Sequence, residues 1–207
     1  KKVPASCIRK ARAARSLLWS DTTFYPDADP ETSCVDGAIK YENLIPVWAT
    51  LRSQTTGTDT SSTVGTASSS VRFRTTNNSW INRGHLGFDL SAVSGTITTG
   101  SLNMNWLIER TVYDMKSCPH TLATDTDLVV GDFDITSFDT TKLIASGTPV
   151  GGDNSFSINS SQYSYIEGEF GGILNIGVLN EHDFDNVAPT DENEHGFHFK
   201  TADHFMS

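Results

Sequence analysis

The feature that most constrains this chain is an alternation of apolar and polar residues with a period of two, which begins after residue 22. Leu86, Phe88 and Leu90, for example, are separated by a glycine and an aspartate. Similar runs occupy residues 71–73, 102–108, 156–158 and 197–199. Successive side chains of a strand point to opposite faces, so each run places one face in a core and the other in water. The pattern predicts an all-β fold of antiparallel strands.

Turn-forming pairs such as Asp36-Gly37 and Gly151-Gly152 separate these runs. They define roughly nine to eleven short strands, which is typical of a two-sheet jelly-roll sandwich. Residues 173–179 are apolar on both faces and should form a central, doubly covered strand. No helical period is visible after residue 20, so we predict one β-sandwich domain over residues 21–207 without helices.

Two segments are less regular. Residues 54–70 consist mostly of Thr, Ser and Gly, and they predict either a long surface loop or a weak edge hairpin. In the segment 83–102, a strand with Leu86 inward should be reversed at Ser94-Gly95, so that residues 96–108 return as the next strand.

Residues 1–20 form a basic N-terminal arm that differs from the rest of the chain. Six of the fifteen basic residues lie there, and no acidic residue precedes Asp21. The basic residues of the arm are Lys1, Lys2, Arg9, Lys10, Arg12 and Arg15. Residues 8–19 could form a short helix that needs a surface to dock on. The alternatives are a frayed terminus and an arm that anchors the chain in an acidic assembly through Arg9, Lys10, Arg12 and Arg15.

The remainder of the chain is strongly acidic. The net charge is −10 overall, and the nine basic residues outside the arm face twenty-five acidic ones, which gives −16. Such a body repels phosphate backbones, which argues against nucleic acid as the main ligand. An equally good explanation of the acidic composition is that it keeps the protein soluble in calcium-rich or saline surroundings.

The three cysteines, Cys7, Cys34 and Cys118, are too few for a disulfide framework. Cys7 and Cys34 could form one bridge, or the thiols could be free and buried. The sequence contains no stretch of 18 apolar residues, so it predicts no membrane-spanning helix.

Motifs of catalysis are not evident in the sequence. It contains no G-x-S-x-G elbow, no P-loop, no G-x-G-x-x-G and no H-E-x-x-H. Glu181, His182 and Asp183 form the densest ionisable cluster, but an ordinary loop after the central strand explains it as well as an active site does. We therefore expect a protein that is not an enzyme.

Carboxylates with a spacing of two suggest a calcium site. Asp27, Asp29 and Glu31 would point the same way from an extended backbone, and Asp183 and Asp185 repeat the spacing. Calcium prefers six to eight oxygen ligands of this kind. The alternative is that these side chains cap turns.

One pair of histidines argues against zinc. His195 and His198 should point to opposite faces of a strand, which makes them poor partners for one zinc ion.

Four aromatic residues could stack on sugar rings. Trp48 would share a strand face with Thr50 and Arg52, and Trp80 follows a polar turn at the start of a strand. Tyr163 and Tyr165 follow a serine-rich turn. Each could equally cover an edge of the sandwich. Trp106, in contrast, is in the apolar phase of its strand and should lie in the core.

Several segments carry a family resemblance. They are residues 22–27 (TTFYPD), 35–37 (VDG), 48–52 (WATLR), 83–102 (RGHLGFDLSAVSGTITTGSL) and 186–190 (NVAPT). In this order they resemble the carbohydrate-binding-module-like jelly-roll sandwiches of the DNRLRE type. Such modules occur in secreted bacterial proteins and in structural proteins of tailed phages and marine viruses. The similarity spans residues 22 to 205, and 83–102 is its most specific part.

The resemblance implies a virion surface, tail or decoration component, or an appended sugar-binding module. We expect a non-enzymatic structural protein on a virion surface or outside the cell, joined to its assembly through the arm and forming a homo-oligomer. The alternative is a calcium-dependent carbohydrate-binding module of an adhesin or a polysaccharide-degrading system. The resemblance identifies no catalytic residue.

Overall fold

A computed structural model describes residues 22–26, 32–44, 47–62, 66–109 and 113–201. The predicted arm over residues 1–20 lies outside the described residues. Within them, ten strands are joined by antiparallel pairs throughout, which confirms the all-β prediction. The strands are β1 (Asp36–Asn43), β2 (Asp59–Ser61), β3 (Thr66–Arg72), β4 (Ser79–Asp89), β5 (Ser101–Glu109), β6 (Met115–Pro119), β7 (Ala145–Gly147), β8 (Gly152–Ser157), β9 (Ile173–Asn180) and β10 (Glu194–Lys200).

The strands form one hydrogen-bonded network in the order β7-β6-β9-β4-β3-β10-β5-β8. β1 also pairs with β4, and β2 pairs with β1. The two ends of the order, β7 and β8, lie beside each other, so the network is nearly closed like a barrel. A jelly roll of two separate sheets stays a prediction.

The network branches at β4. One edge of this strand pairs with β1 over residues 79–86. The other edge pairs with β3 over residues 80–82 and with β9 over residues 84–89. Arg83 lies where one partner ends and the next begins. From this point the strand order continues on one side through β3, β10, β5 and β8 and on the other through β9, β6 and β7.

The main core is filled from both sides of the strand order. Phe199 and Trp106 come from β10 and β5, while Leu86, Ile176 and Val178 come from β4 and β9. The ring of Trp106 contacts the rings of Phe156, Phe197 and Phe199, which confirms its core position. A second cluster lies beneath β1 and the first half of β4. It consists of Val35, Ile39, Trp48, Leu51, Val71, Ile81, Leu128 and Phe133.

The prediction of no helix after residue 20 is wrong. Among the described residues, three short helices occur, α1 (Trp48–Arg52), α2 (Tyr163–Gly168) and α3 (Glu181–Asp185), together with 3₁₀ turns at Val130–Phe133, Ile135–Ser137 and Ser160–Gln162. Helices of five or six residues are too short to repeat an apolar position, so periodicity does not reveal them. None of the described helices is long and apolar enough to cross a membrane.

The segment 54–70 is neither a plain loop nor an edge hairpin. Its last five residues belong to β3, which lies between β4 and β10 in the sheet. Ser69 and Ser70 are buried there, and the Ser70 hydroxyl accepts a hydrogen bond from Asn82 Nδ2 at 2.8 Å. Neighbouring strands on both sides override the weak strand propensity of serine.

The return strand predicted over residues 96–108 occurs as β5, which begins at Ser101, but it does not pair with β4. β5 pairs with β10 and β8, and both edges of β4 are already occupied by β1, β3 and β9. The Ser94-Gly95 turn therefore changes the direction of the chain but does not determine which strand β5 pairs with. The predicted central strand over 173–179 is confirmed, because β9 lies between β4 and β6.

Candidate ligand-binding surface

The outer face of β1, β3 and the first half of β4 carries one aromatic ring among polar side chains. Trp80 lies directly opposite Glu42 on β1 and Arg72 on β3, and Asn82 lies opposite Lys40. Side chains of directly opposed residues project from the same face of a sheet. We call the set Lys40, Glu42, Arg72, Arg74, Trp80 and Asn82 the Trp80 surface.

Cations surround the indole ring of Trp80. The Arg72 guanidinium carbon lies 4.8 Å from the ring centre, and Lys40 Nζ lies 5.6 Å from it. Both distances are in the range of cation–π interactions. Lys40 also forms a salt bridge with Glu42. Trp80 is half-buried, so it offers part of its surface to a ligand.

Arg72 and Arg74 converge beside this ring. Arg72 Nε donates to the carbonyl oxygen of Glu192 at 3.2 Å, and Arg74 Nε donates to the same oxygen at 3.3 Å. Arg74 is held in place by Ser79, whose hydroxyl accepts from the Arg74 N–H at 2.9 Å. No salt bridge joins either guanidinium to a carboxylate within the described ranges.

The opposite face of β4 carries a buried cation. The Arg83 side chain is 0% exposed, and its Nε and Nη2 donate to the two carboxylate oxygens of Asp183 at 2.7 and 2.9 Å. Arg83 also donates to the carbonyl oxygens of Arg52 and Phe133, and its guanidinium lies 4.1 Å from the Phe133 ring centre. These bonds join β4 to α1, to α3 and to the 3₁₀ turn at Val130–Phe133. The geometry is that of a structural clamp.

A second buried group is a histidine pair. His85 Nδ1 and His120 Nδ1 lie 2.9 Å apart, and His120 Nε2 lies 3.1 Å from the Asp132 carbonyl oxygen. A carbonyl oxygen only accepts hydrogen bonds, so His120 Nε2 is the donor to Asp132. In neutral His120 the other ring nitrogen, Nδ1, is then unprotonated and accepts a hydrogen bond from His85 Nδ1. Burial lowers the pKa of His120 to about 3 and the pKa of His85 well below its ordinary value. Both rings are therefore neutral near pH 7.

A third group fixes the loop between α3 and β10. The rings of His182 and His195 lie 5.3 Å apart, and both contact Tyr113. His182 Nδ1 donates to the Val187 carbonyl at 2.9 Å, and His195 Nε2 lies 2.8 Å from the Asp191 carboxylate. Burial lowers the pKa of His182. As predicted, His195 and His198 lie on opposite faces, the first buried and the second half-exposed.

The thiol of Cys118 is buried on β6 beside the aromatic ring of Phe138. Burial raises the pKa of this thiol, so it stays protonated at neutral pH. A protonated thiol is a poor nucleophile.

Trp48 was predicted to lie on a strand, and this prediction is wrong, because Trp48 begins helix α1. It is 9% exposed and packs edge-on against Phe73 at a centroid distance of 5.9 Å. Its Nε1 donates to Asn186 Oδ1 at 3.2 Å. Its faces are used in the second core cluster, so it belongs beneath the sheet, whereas Trp80 lies on the outer face.

Tyr163 and Tyr165 lie on α2, away from β1, β3 and β4 in the chain. Tyr165 packs against the main core, and Lys142 Nζ lies 4.9 Å from its ring centre. Burial raises the pKa of Tyr165 to about 12. The four aromatic residues predicted to bind glycan are thus distributed over different elements.

The predicted calcium ligands are only partly described. Both Asp183 and Asp185 are paired with cations, Asp183 with Arg83 and Arg52 and Asp185 with Lys116. Asp27, Asp29 and Glu31 lie outside the described residues, as do Arg9, Lys10, Arg12 and Arg15 of the arm. In the part of the chain that is described, no group of three or more His, Cys, Asp or Glu side chains could hold a metal ion.

Sequence reasoning missed Arg83, the His85–His120 pair and the convergence of Arg72 with Arg74. Arg83 and His85 alternate with apolar Leu86 and Phe88, which resembles an ordinary solvent-exposed phase. The signal that could have revealed them is the position of Ile81, an apolar residue on the same face of the strand as Arg83 and His85, because residues two apart project to one side. Convergence of Arg72 and Arg74 depends on Glu192, 118 residues later than Arg74, and has no local signal.

Comparison with known proteins gives no independent assignment. No family model matches the chain, and no curated protein matches it.

Proposed function

We propose that this protein is a non-enzymatic surface component, of the virion or secreted type that the resemblance implies, and that it binds carbohydrate through the Trp80 surface. The observation that carries the proposal is the arrangement around Trp80. A half-buried indole lies on a sheet face among amide, carboxylate and cationic groups. Sugar rings bind to such combinations because their C–H faces pack on the aromatic ring while their hydroxyls hydrogen-bond to polar neighbours.

The interior polar groups support a role without catalysis. Asp183 is paired with Arg83, and His85 is hydrogen-bonded to His120. The thiol of Cys118 stays protonated. In each case the group that could act as a nucleophile, base or acid is neutral or is bound to another protein group. Such contacts stabilise a fold rather than prepare a reaction.

A glycan array, followed by affinity gels with the positive glycans, tests the proposal. We expect Trp80→Ala to weaken binding by about tenfold or more, equivalent to roughly 1.4 kcal/mol, because the stacking face is lost. Tyr25→Ala is the matched control, since Tyr25 is 76% exposed and lies outside the Trp80 surface. Absence of binding to any glycan, or equal binding by both variants, would contradict the proposal.

Calcium dependence is tested in the same gels with and without a chelator. Loss of binding in chelator and its return with added calcium would favour the calcium-dependent module. Unchanged binding would leave the Trp80 surface as a metal-independent site. The Asp27, Asp29 and Glu31 group is then examined by substitution of all three with asparagine or glutamine.

Attachment to a larger assembly is a separate part of the proposal and depends on the charge contrast between the arm and the body. Removal of residues 1–20 should leave a folded chain that no longer joins its assembly. Normal assembly of the truncated chain would contradict an anchoring role. The readout is co-sedimentation with the assembly, with glycan binding as the control for folding.

A further inference from the structure

We propose that the ligand of the Trp80 surface is an anionic carbohydrate, and that Arg72 and Arg74 bind its carboxylate or sulfate group. This inference depends on the proposed carbohydrate-binding function and adds the chemical class of the ligand. It starts from a contrast in charge. Two cations lie together at one edge of this surface although the chain as a whole carries a net charge of −10.

The two guanidinium groups are held close together by one oxygen. Each uses its Nε–H to donate to the carbonyl of Glu192, at 3.2 Å from Arg72 and 3.3 Å from Arg74. A guanidinium has five N–H donors, so most donors of both groups remain for another acceptor. Like charges this close repel each other unless an anion lies between or beside them.

Two of the acidic side chains near this pair are bound elsewhere. Glu42 forms its salt bridge with Lys40. The Asp191 carboxylate accepts from His195 Nε2 and from the Asn193 N–H, both at 2.8 Å. Glu194 lies opposite Arg72 in the register, yet the two form no salt bridge. Glu192 contributes its carbonyl oxygen to the pair, and in the described part of the chain no salt bridge joins either arginine to a carboxylate.

The chemistry of this arrangement suits a sugar acid. Guanidinium forks bind carboxylate and sulfate oxygens with paired hydrogen bonds. The indole of Trp80, whose centre lies 4.8 Å from the Arg72 guanidinium carbon, supplies an apolar surface at the distance of an adjacent sugar ring. A nucleic acid fits less well, because the acidic body repels a continuous row of phosphates.

The test is calorimetric titration of the full chain with four probes of matched length. These are oligogalacturonate for carboxylate, dextran sulfate for sulfate, neutral dextran, and a single-stranded oligonucleotide. We expect one or both anionic glycans to bind, and the double variant Arg72→Gln/Arg74→Gln to weaken that binding by about a hundredfold, since two charge-assisted contacts are lost. Binding by the unmodified protein should also weaken steeply with salt.

Lys142→Gln is the control variant. It removes one positive charge that lies outside the Trp80 surface and is paired with Asp139, so the affinity should stay within about twofold. Circular dichroism and melting temperature establish that every variant is folded. Preference for oligogalacturonate or for dextran sulfate identifies the anionic group.

The failures are distinguishable. If the glycan array finds neutral sugars that depend on Trp80 while the double arginine variant binds them normally, the carbohydrate function stands and the anionic class is wrong. If the oligonucleotide binds as tightly as the glycans, the pair is a general anion site and the inference is overturned. If no glycan binds at all, the proposed function itself fails.

Discussion

The two faces of the sheet around β4 hold arginines in opposite ways. On the inner face, Arg83 is completely buried, and its donors reach Asp183 and the carbonyls of Arg52 and Phe133. On the outer face, Arg72 and Arg74 share one carbonyl and lie without a described carboxylate partner. A buried charged group needs hydrogen-bond partners inside the protein, whereas the donors of a charged group at the surface can remain available to a ligand. The comparison predicts that the inner arginine determines stability and the outer arginines determine binding.

The largest effect is expected for Arg83→Met. This variant removes two hydrogen bonds to the buried Asp183 carboxylate and leaves it only Arg52, whose Nε lies 3.3 Å from Asp183 Oδ1, so the free energy of unfolding should fall by about 3 kcal/mol. Urea unfolding measures the change. Arg72→Met is the matched outer variant and should lower the free energy of unfolding by only about 1 kcal/mol, because it loses the contact with Trp80 and one hydrogen bond to the Glu192 carbonyl.

A second variant separates charge from packing at Arg83. Arg83→Met/Asp183→Leu removes both charges and should be more stable than Arg83→Met alone, because the carboxylate that lost most of its donors is gone, while Arg52, the other cation beside Asp183, is 15% exposed and can be hydrated. A loss below about 1 kcal/mol for Arg83→Met would show that the clamp is not structural. Equal losses for Arg83→Met and Arg72→Met would remove the contrast between the two faces.

The next largest effect is expected from acidification, which should lower the free energy of unfolding through the buried histidines on the inner face. The pKa of His120 is about 3 in the folded chain and that of His85 is also lowered, while an unfolded histidine titrates near 6.5. Below pH 6.5 the unfolded state therefore binds more protons, and stability that is complete above this pH is lost as the pH falls toward 3. Each histidine should contribute a slope of about 1.4 kcal/mol per pH unit.

The slope is measured by urea unfolding between pH 7 and pH 4.5, above the range in which most carboxylates titrate. In His85→Leu/His120→Leu the slope should become flatter, whatever the absolute stability of the variant. An unchanged slope in the double variant would mean that the buried pair does not control acid stability.

The difference between the two faces also explains what the sequence could reveal. Alternation of apolar residues was sufficient for the antiparallel all-β architecture and for Trp106 in the core, and the run of residues that is apolar on both faces was sufficient for β9 as the central strand. It could not place the serines of β3 in the centre of a sheet, because their burial depends on β4 and β10 on either side. Trp48 and Trp80 looked alike as candidates for stacking, and only tertiary packing separates the buried ring from the outer one.

The site residues were harder to predict than the fold because they are brought together from distant segments. Asp183 has the spacing of a calcium ligand in sequence, yet it pairs with Arg83, 100 residues earlier in the chain. The convergence of Arg72 and Arg74 needs the backbone of the loop before β10. Such pairs have no periodicity, so local patterns predict the elements but not their polar contacts.

The smallest predicted effect concerns the repulsion between the outer arginines. Arg74→Gln should leave the free energy of unfolding unchanged or raise it by up to about 0.5 kcal/mol at low salt, because Arg72 then loses a neighbour of like charge. Lys142→Gln removes the same charge but also the 2.9 Å salt bridge with Asp139, so it should lower stability slightly. Both differences should disappear in about 1 M salt, where charges are screened within about 3 Å. Equal losses in the two variants would indicate that Arg74 is already stabilised by its surroundings, and the reason for expecting an anion beside it would disappear.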